Sequence, residues 1–350
     1  MNYKETLFFI AKCLTINQEQ HNLKLVSETI VSKSVNWDDV VKVSTAHYVF
    51  PALYCNLKRA NLLTYLPNKL VGYMKHITDL NRERNLEIIK QAKEINEILV
   101  HNNVQPIFLK GTAFLLQEMY NDPAERMLGD IDFLVAKNQF DKAIEILKND
   151  NYERISDKLY SPIITKHYPR LFNKNKLSAV EIHIDVIKPS LSEEFNYESL
   201  KEFFITDKEF IFLGKSDQLA LTILAKQYND NGKYFKTISL RNSYDVFKLS
   251  NFSNSFHFEN TYSFYRDLLN PYLSITSHTF NTKSIYFKDD VKSRFFKKIF
   301  LLKIKNSLYS KLHNFFLKKM IYIQLKFLGL IRFTKNKEFR QYYIKKISNS

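Results

Sequence analysis

The sequence predicts an α+β protein in which a small sheet in the middle of the chain is flanked by helical regions. Three observations support this class. Residues 129–135 and 180–185 alternate polar and apolar side chains, as strands with one polar face do. Residues 106–116 have the pattern of a strand, a tight turn and a helix. Residues 70–102 and 291–347 carry apolar residues at helical spacing.

The N-terminal region is expected to be entirely helical. Apolar spacing predicts one helix over residues 2–15 and a second that begins at Asn36 or Asp38. The pattern resumes over residues 47–57, and residues 70–102 predict a long helix with one polar face. These helices lead directly into the predicted sheet.

The segment that begins the sheet contains a basic turn. An apolar strand enters Lys110, Gly111 and Thr112, and an apolar helix follows and is expected to end near Tyr120. That end is predicted because the next residues, Asn121, Asp122 and Pro123, favour turns and the residue before proline disfavours helix. A second strand is expected to begin near Gly129.

The second strand places two carboxylates side by side. Side chains alternate along a strand, so Asp130 and Asp132 lie on one face, while Ile131 and Phe133 lie on the other. Like charges this close repel unless a cation lies between them, and a divalent metal with oxygen ligands is the usual solution. The alternative is a solvated strand end, but the apolar surroundings favour a metal site.

The strand at residues 180–185 also carries acids on one face. Alternation places Glu181, His183 and Asp185 on one face of this strand. Both Glu181 and Asp185 are candidates, and only one can join the same metal shell, because the four residue steps between their positions span roughly 13 Å at about 3.3 Å per residue. Alternation alone does not choose between them.

The remaining elements are predicted more coarsely. Residues 139–149 are expected to form a helix, and residues 160–177 a strand pair that crosses the sheet. Asp217 is expected to cap one helix, and Asp245 to lie within another. Residues 251–290 carry no pattern that assigns them.

These motifs resemble a known family. Lys110-Gly111 at a strand-to-helix turn, then Arg126 and the run Gly129-Asp130-Ile131-Asp132, are similar to the nucleotidyltransferase fold of the DNA polymerase beta superfamily. More narrowly, the chain resembles a bacterial group of uncharacterised nucleotidyltransferases in which Lys-Gly stands in place of the more common Gly-Ser. The likeness extends to residues 37–51, 180–185 and 217–245, and implies a small mixed nucleotidyltransferase sheet.

The resemblance implies an enzyme that moves a nucleoside monophosphate from a nucleoside triphosphate to an acceptor hydroxyl or phosphate. It implies a two-metal mechanism with Mg²⁺ or Mn²⁺. The residues that it implies as metal ligands and catalytic groups are Asp130, Asp132 and Glu181. In that superfamily the third acid comes from a strand that adjoins the strand of the aspartate pair, and here Glu181 is the better match and Asp185 the alternative. The residues that it implies at the nucleotide are Lys110, Gly111, Thr112, Arg126 and Gly129, with Arg126 as a phosphate clamp on a mobile loop.

Two other functions remain open at this point. One is an inactive module of the same fold that binds nucleic acid or a partner, and the other is an AbiE-like toxin that modifies tRNA. No residue names the acceptor, which could be tRNA, a protein or a small molecule.

Charge is concentrated at the C-terminus. The chain has 52 Lys+Arg and 36 Asp+Glu, but residues 291–350 contain 16 of the basic residues and only one acid, Glu338. This segment therefore carries +15, and the rest is nearly neutral, with 36 basic against 35 acidic residues. Three interpretations compete for this segment: a helix that packs on the body with a solvated lysine face, a membrane-surface helix, and a contact with nucleic acid. We favour packing, and a polyanion partner such as RNA or an anionic lipid stays open.

The chain is expected to be cytoplasmic. Two cysteines, Cys13 and Cys55, suit a reducing compartment, and neither a secretory signal nor a bilayer-spanning segment is predicted. Four regions are proposed: a helical N-terminal region (1–102), a nucleotidyltransferase core (103–215), a helical module (216–290) and a basic helical tail (291–350).

Overall fold

The structure, a computed structural model, describes residues 1–154, 166–188, 194–251 and 262–348. Its strands are β1 (Ile107–Phe108), β2 (Asp130–Leu134), β3 (Glu153–Arg154), β4 (Leu171–Phe172), β5 (Ala179–His183), β6 (Ile205–Asp207) and β7 (Phe210–Phe212). Its helices before β2 are α1 (Tyr3–Cys13), α2 (Gln20–Val31), α3 (Trp37–Ala46), α4 (Phe50–Arg59), α5 (Asn68–His101) and α6 (Lys110–Leu116). The later helices are α7 (Phe140–Asn149), α8 (Tyr197–Leu200), α9 (Lys215–Leu224), α10 (Gly232–Phe235), α11 (Leu240–Ser250), α12 (Arg266–Phe280), α13 (Val291–Lys305), α14 (Ser307–Lys335) and α15 (Lys337–Ser348).

The strands form one mixed sheet in the order β3-β4-β5-β2-β1-β7-β6. Strand β2 lies at its centre, parallel to β5 and antiparallel to β1. The register places Asp132 beside Glu181. The predicted α+β class with helical ends is confirmed, and the two strands that carry the predicted acids are neighbours.

The alternation of β2 and β5 is explained by burial. Ile131, Phe133, Val180 and Ile182 are completely buried on one side of the sheet. Burying a side chain of this size contributes about 1.5–3 kcal/mol. A shift of register by one residue would turn these apolar side chains out of the core, so their burial fixes which face carries the acids.

Helix α5 holds the sheet from one side. The Gln91 side chain donates to the carbonyl of Ser178 at 2.9 Å, and the amide of Ser178 donates back to Gln91 Oε1 at 2.9 Å. Ser178 immediately precedes β5. This reciprocal pair therefore positions the strand that supplies Glu181 and His183.

Several predicted boundaries are corrected. Helix α6 begins at Lys110 itself and ends at Leu116, not near Tyr120, because Glu118 adopts a left-handed φ of 51°. Strand β5 ends at His183, so Asp185 lies beyond it. Asp217 does not cap α9, since Gly214 occupies the N-cap position and Asp217 lies in the first turn.

The predicted strand pair at residues 160–177 is described only in part. Residues 160–165 lie outside the described residues, while β4 falls in the remainder and pairs antiparallel with β5 at Leu171 and Val180. Helix α12 occupies part of residues 251–290, where the sequence pattern gave no assignment.

The basic tail consists of three helices that differ in packing. Helix α13 buries Phe296 and Phe300, as the packing prediction requires. Helix α14 has 29 residues and buries none of them, so that prediction is wrong for this helix. None of the described helices is long and apolar enough to cross a membrane. Cys13 and Cys55 are both buried and free.

Candidate active site

The turn that follows β1 directs a lysine towards β2. Lys110 has φ 52°, in the left-handed region that costs an ordinary residue about 1–2 kcal/mol. A Cβ at Gly111 would lie 2.5 Å from Leu128 Cδ1, so a larger residue there would displace the buried Leu128 side chain. The amide of Leu109 donates to the carbonyl of Asp132 at 3.0 Å, which fixes the turn against the strand.

Asp132 is the centre of the charged cluster. Its Oδ1 accepts from Lys110 Nζ at 2.6 Å and lies 2.8 Å from His183 Nε2. Burial would raise the pKa of Asp132, but Lys110 and His183 outweigh burial and hold that pKa below its usual range. Burial likewise opposes the charge of Lys110, yet its pKa is raised because Asp132 and Glu181 favour the ammonium form. Lys110 and Asp132 are therefore both charged at neutral pH.

Thr112 joins the start of α6 to the same strand. The amide of Asp132 donates to Thr112 Oγ1 at 3.2 Å, and Thr112 Oγ1 donates to the carbonyl of Asp130 at 3.3 Å. The hydroxyl therefore contacts the strand backbone on both sides of Ile131. This arrangement sets the distance between Lys110 and the two aspartates.

Arg170 bridges the other two acids. Its Nε donates to Glu181 Oε1 at 2.8 Å, and its Nη2 lies 2.7 Å from Asp130 Oδ2. Burial would raise the pKa of Glu181, but the hydrogen bond from His183 helps to lower it to about 2. Asp130 is half-buried, and burial raises its pKa although Arg170 opposes the shift.

His183 completes a group of possible metal ligands. It is completely buried, and its Nε2 lies 3.4 Å from Glu181 Oε2 as well as 2.8 Å from Asp132. Its Nδ1 has no hydrogen-bond partner among the described residues. One ligand atom each from Asp132, Glu181 and His183 lie within 4.8 Å of one another. Two carboxylates and an imidazole are a donor set that suits a divalent cation.

Arg126 and Gly129 lie at the edge of this cluster. The Nε of Arg126 is 2.9 Å from Asp245 Oδ1, and its Nη1 donates to the carbonyl of Met127 at 2.6 Å. Arg126 is buried, so it ties the loop before β2 to α11. Gly129 accepts through its carbonyl from Ser178 Oγ at 3.2 Å. Their contact with a nucleotide stays a prediction.

Sequence reasoning missed several groups near the acids. Arg170 was not expected to bridge them, and His183 was noted on the polar face of its strand but not as a ligand. Lys166 is also close: burial and Lys110 lower its pKa, whereas Glu181 raises it. The alternation of β5 could have indicated His183, because residues 181 and 183 share a face. No pattern indicated Arg170, which reaches Glu181 from outside β2 and β5.

The fold and the cluster define a class: an α+β protein with a charged, candidate metal-binding site on its central strands. Residues 33–262 match the model of a family described as uncharacterised nucleotidyltransferase, and the chain belongs to this family. The matched segment includes every residue of the cluster and ends before α12. No curated protein and no solved structure matches the chain.

Proposed function

We propose that this protein is a metal-dependent nucleotidyltransferase that moves a nucleoside monophosphate from a nucleoside triphosphate to an acceptor hydroxyl or phosphate. One observation carries the proposal. In a chain of a nucleotidyltransferase family, Asp132, Glu181 and His183 bring three possible ligand atoms within 4.8 Å. Such a cluster is what metal-assisted phosphoryl chemistry requires.

The donor set fits a divalent cation. Asp132 and Glu181 would supply oxygen ligands for Mg²⁺ or Mn²⁺, and the imidazole of His183 would favour Mn²⁺ over Mg²⁺. Asp130 would join a second metal of a two-metal site. When bound, such ions neutralise phosphate charge and polarise the phosphorus that is attacked.

The chain itself supplies binding and proton transfer. Lys110 would hold phosphate oxygens of the triphosphate, and Gly111 would let the backbone of the turn approach them. Attack by the acceptor oxygen forms its bond to the α-phosphorus, while the bond from that phosphorus to pyrophosphate breaks. Glu181 is ionised at neutral pH because its pKa is lowered to about 2, so it would either hold the metal or take the acceptor proton and pass it on to water, since a carboxylate of such low pKa is a weak base.

Arg170 is the group that must rearrange. It contacts Asp130 and Glu181 at 2.7 and 2.8 Å, so it neutralises acids that a metal would need. Its side chain is about half exposed, which leaves room for it to swing towards solvent. After that movement the guanidinium would bind a phosphate of the triphosphate, because its paired N–H groups match two oxygens.

A non-catalytic module is the second candidate. The observation that favours it is the same pairing, because Lys110 and Arg170 already form ion pairs with all three acids, Asp132, Asp130 and Glu181, without a metal. In that case the fold would bind a nucleotide or a partner and transfer nothing. The enzyme would transfer label from a nucleoside triphosphate to an acceptor, whereas the non-catalytic module would transfer none.

The decisive assay supplies each α-labelled nucleoside triphosphate with Mg²⁺ or Mn²⁺ to the protein and a cell extract, and measures label attached to an acceptor together with pyrophosphate released. We expect transfer by the wild type, and a loss of at least about a hundredfold in Asp132→Asn, since even groups that only support a metal ligand contribute 10–100-fold.

Asp141→Asn is the matched control, because Asp141 is an exposed residue in the first turn of α7. It should retain wild-type transfer. Metal-independent binding of nucleotide, with no labelled acceptor under any condition, would instead support the non-catalytic module.

A further inference from the structure

Helix α14 presents a continuous apolar stripe to solvent. Its 29 residues extend over roughly 44 Å at the usual helical rise. Six apolar residues follow one another at spacings of three or four, which places them on one side of the helix. They are exposed by 50–66%. These residues are Leu312, Phe316, Met320, Ile323, Phe327 and Leu330.

The basic residues of α14 all lie off this stripe. The helix contains six Lys or Arg residues and no Asp or Glu. At 100° per residue, Lys311, Lys318 and Arg332 point away from the stripe, while Lys319 and Lys326 flank it. The helix thus combines a continuous apolar stripe with basic residues that all lie off the stripe, and Phe315, Tyr322 and Leu325 add exposed apolar groups on those other sides.

This distribution favours one kind of occupant over the others. A second copy of α14 would bring six positive charges against six more, with no acid to pair them. RNA would satisfy the lysines, and Phe316 and Phe327 could stack on its bases, but the other four stripe residues offer nothing to phosphates or base edges. An anionic lipid surface matches both sides at once, because acyl chains accept the stripe and headgroup phosphates attract the lysines.

We propose that α14 is a membrane-surface helix that lies in the plane of an anionic lipid bilayer. The stripe enters the boundary between headgroups and acyl chains. Lys319 and Lys326 lie along this boundary and extend their ammonium groups to the phosphates, as long basic side chains do. Residues 33–262 match the nucleotidyltransferase family, so the surface lies outside the matched segment and is independent of the proposed reaction.

The first test uses the wild-type full chain and co-sedimentation with vesicles. One set contains phosphatidylcholine alone, and the other contains phosphatidylcholine mixed with phosphatidylserine. We expect the protein to pellet with the anionic vesicles and to bind them at least about tenfold more tightly than the neutral ones, since each basic residue near the surface contributes about 1 kcal/mol. Equal binding to both sets, or binding to neither, would overturn the proposal.

The second test asks whether the stripe is the contact. In Phe316→Asp/Ile323→Asp two stripe residues become acids, and binding to anionic vesicles should fall at least about tenfold. The matched control is Leu80→Asp/Val100→Asp on α5, where both leucine and valine are also exposed, by 50% and 44%. The control should bind as the wild type does. Equal binding by the stripe variant and the control would contradict the proposal.

A third variant covers the case in which the stripe variant fails to fold. Lys319→Glu/Lys326→Glu changes two exposed residues and leaves the apolar stripe intact. We expect it to lose binding to anionic vesicles at least about tenfold, because two attractions become two repulsions. If the protein bound poly(U) RNA but no vesicles, the partner of α14 would be RNA and not a lipid surface. A dimer in light scattering without vesicle binding would replace it by a second copy.

Discussion

The charged cluster on β2 and β5 and the basic helix α14 handle charge in opposite ways. In the cluster every described acid has a cation against it: Lys110 at Asp132, and Arg170 at Asp130 and Glu181. In α14 six basic residues have no acid on the same helix, and the apolar residues between them are exposed. Charges that are paired within the cluster act on each other and on a ligand that binds there. Charges without an acid on their own helix, beside exposed apolar groups, are available to a partner at the surface.

The largest expected effect on stability comes from a buried pair at the edge of the site. Asp245 and Arg126 are exposed by only 1% and 7%, and Asp245 also accepts from Tyr120. Asp245→Ala should lower the free energy of unfolding by about 3–5 kcal/mol, because it leaves the Arg126 charge buried without its partner. Denaturant unfolding followed by circular dichroism measures this change.

The matched control removes an exposed pair between the body and the tail. Asp267 and Lys292 form an ion pair whose side chains are both more than half exposed. Asp267→Ala should change the free energy of unfolding by less than about 1 kcal/mol. If both substitutions had the same effect, burial would not be what distinguishes the two regions.

A smaller effect is expected from a glycine in the site compared with one in α14. A Cβ at Gly111 would lie 2.5 Å from Leu128 Cδ1, so Gly111→Ala should cost about 1–3 kcal/mol of stability and displace Lys110. Nothing lies within 4 Å of a Cβ at Gly329, so Gly329→Ala should stabilise by about 0.5–1 kcal/mol. Thermal unfolding of both variants measures the two changes in stability. If both substitutions stabilised the protein, Gly111 would not be closely packed.

The last prediction concerns metal affinity and Arg170. Removing its charge in Arg170→Gln should raise the affinity for Mn²⁺ about tenfold, equivalent to about 1.4 kcal/mol, because the guanidinium competes for Asp130 and Glu181. The control is Arg332→Gln on α14, an exposed residue that should leave Mn²⁺ affinity unchanged. Calorimetric titration measures both. A fall in affinity would mean that Arg170 orders the acids and does not compete with the metal.

Much of the fold could be predicted because its signals are local. The caps and apolar spacing that predicted the N-terminal helices are present, and Asn36 Oδ1 accepts from the amide of Asp39 at 3.2 Å. The pairing of β2 with β5 was expected from their alternation together with the family resemblance. Helix ends were predicted less well. Helix α6 ends where Glu118 takes a left-handed φ, and a glutamate in the sequence does not indicate that conformation.

The site could be predicted only in part, because some of its contacts are not encoded by spacing. Asp130, Asp132 and Glu181 lie on two strands with clear patterns, so their proximity followed from the sequence. Arg170 approaches from a segment without a periodic pattern and contacts two strands at once. Likewise Arg126 was expected at the nucleotide, yet it pairs with Asp245 in α11, a contact between residues 119 positions apart.

The exposure of α14 was also beyond the sequence pattern. Leucines and phenylalanines at helical spacing usually pack on a core, and α13 follows that rule through Phe296 and Phe300. In α14 the same pattern faces solvent, and no residue of this helix belongs to the apolar core. Only the three-dimensional arrangement separates the two helices.

The most direct test of the central claim is a Mn²⁺ titration of Glu181→Gln and Asp185→Asn, followed by electron paramagnetic resonance of free Mn²⁺. Glu181 lies beside Asp132 in the register of the sheet, whereas Asp185 lies beyond the end of β5. We expect Glu181→Gln to weaken Mn²⁺ binding at least about tenfold, and Asp185→Asn to bind Mn²⁺ as the wild type does. Wild-type affinity in Glu181→Gln, with binding lost in Asp185→Asn, would contradict the assignment of the metal site.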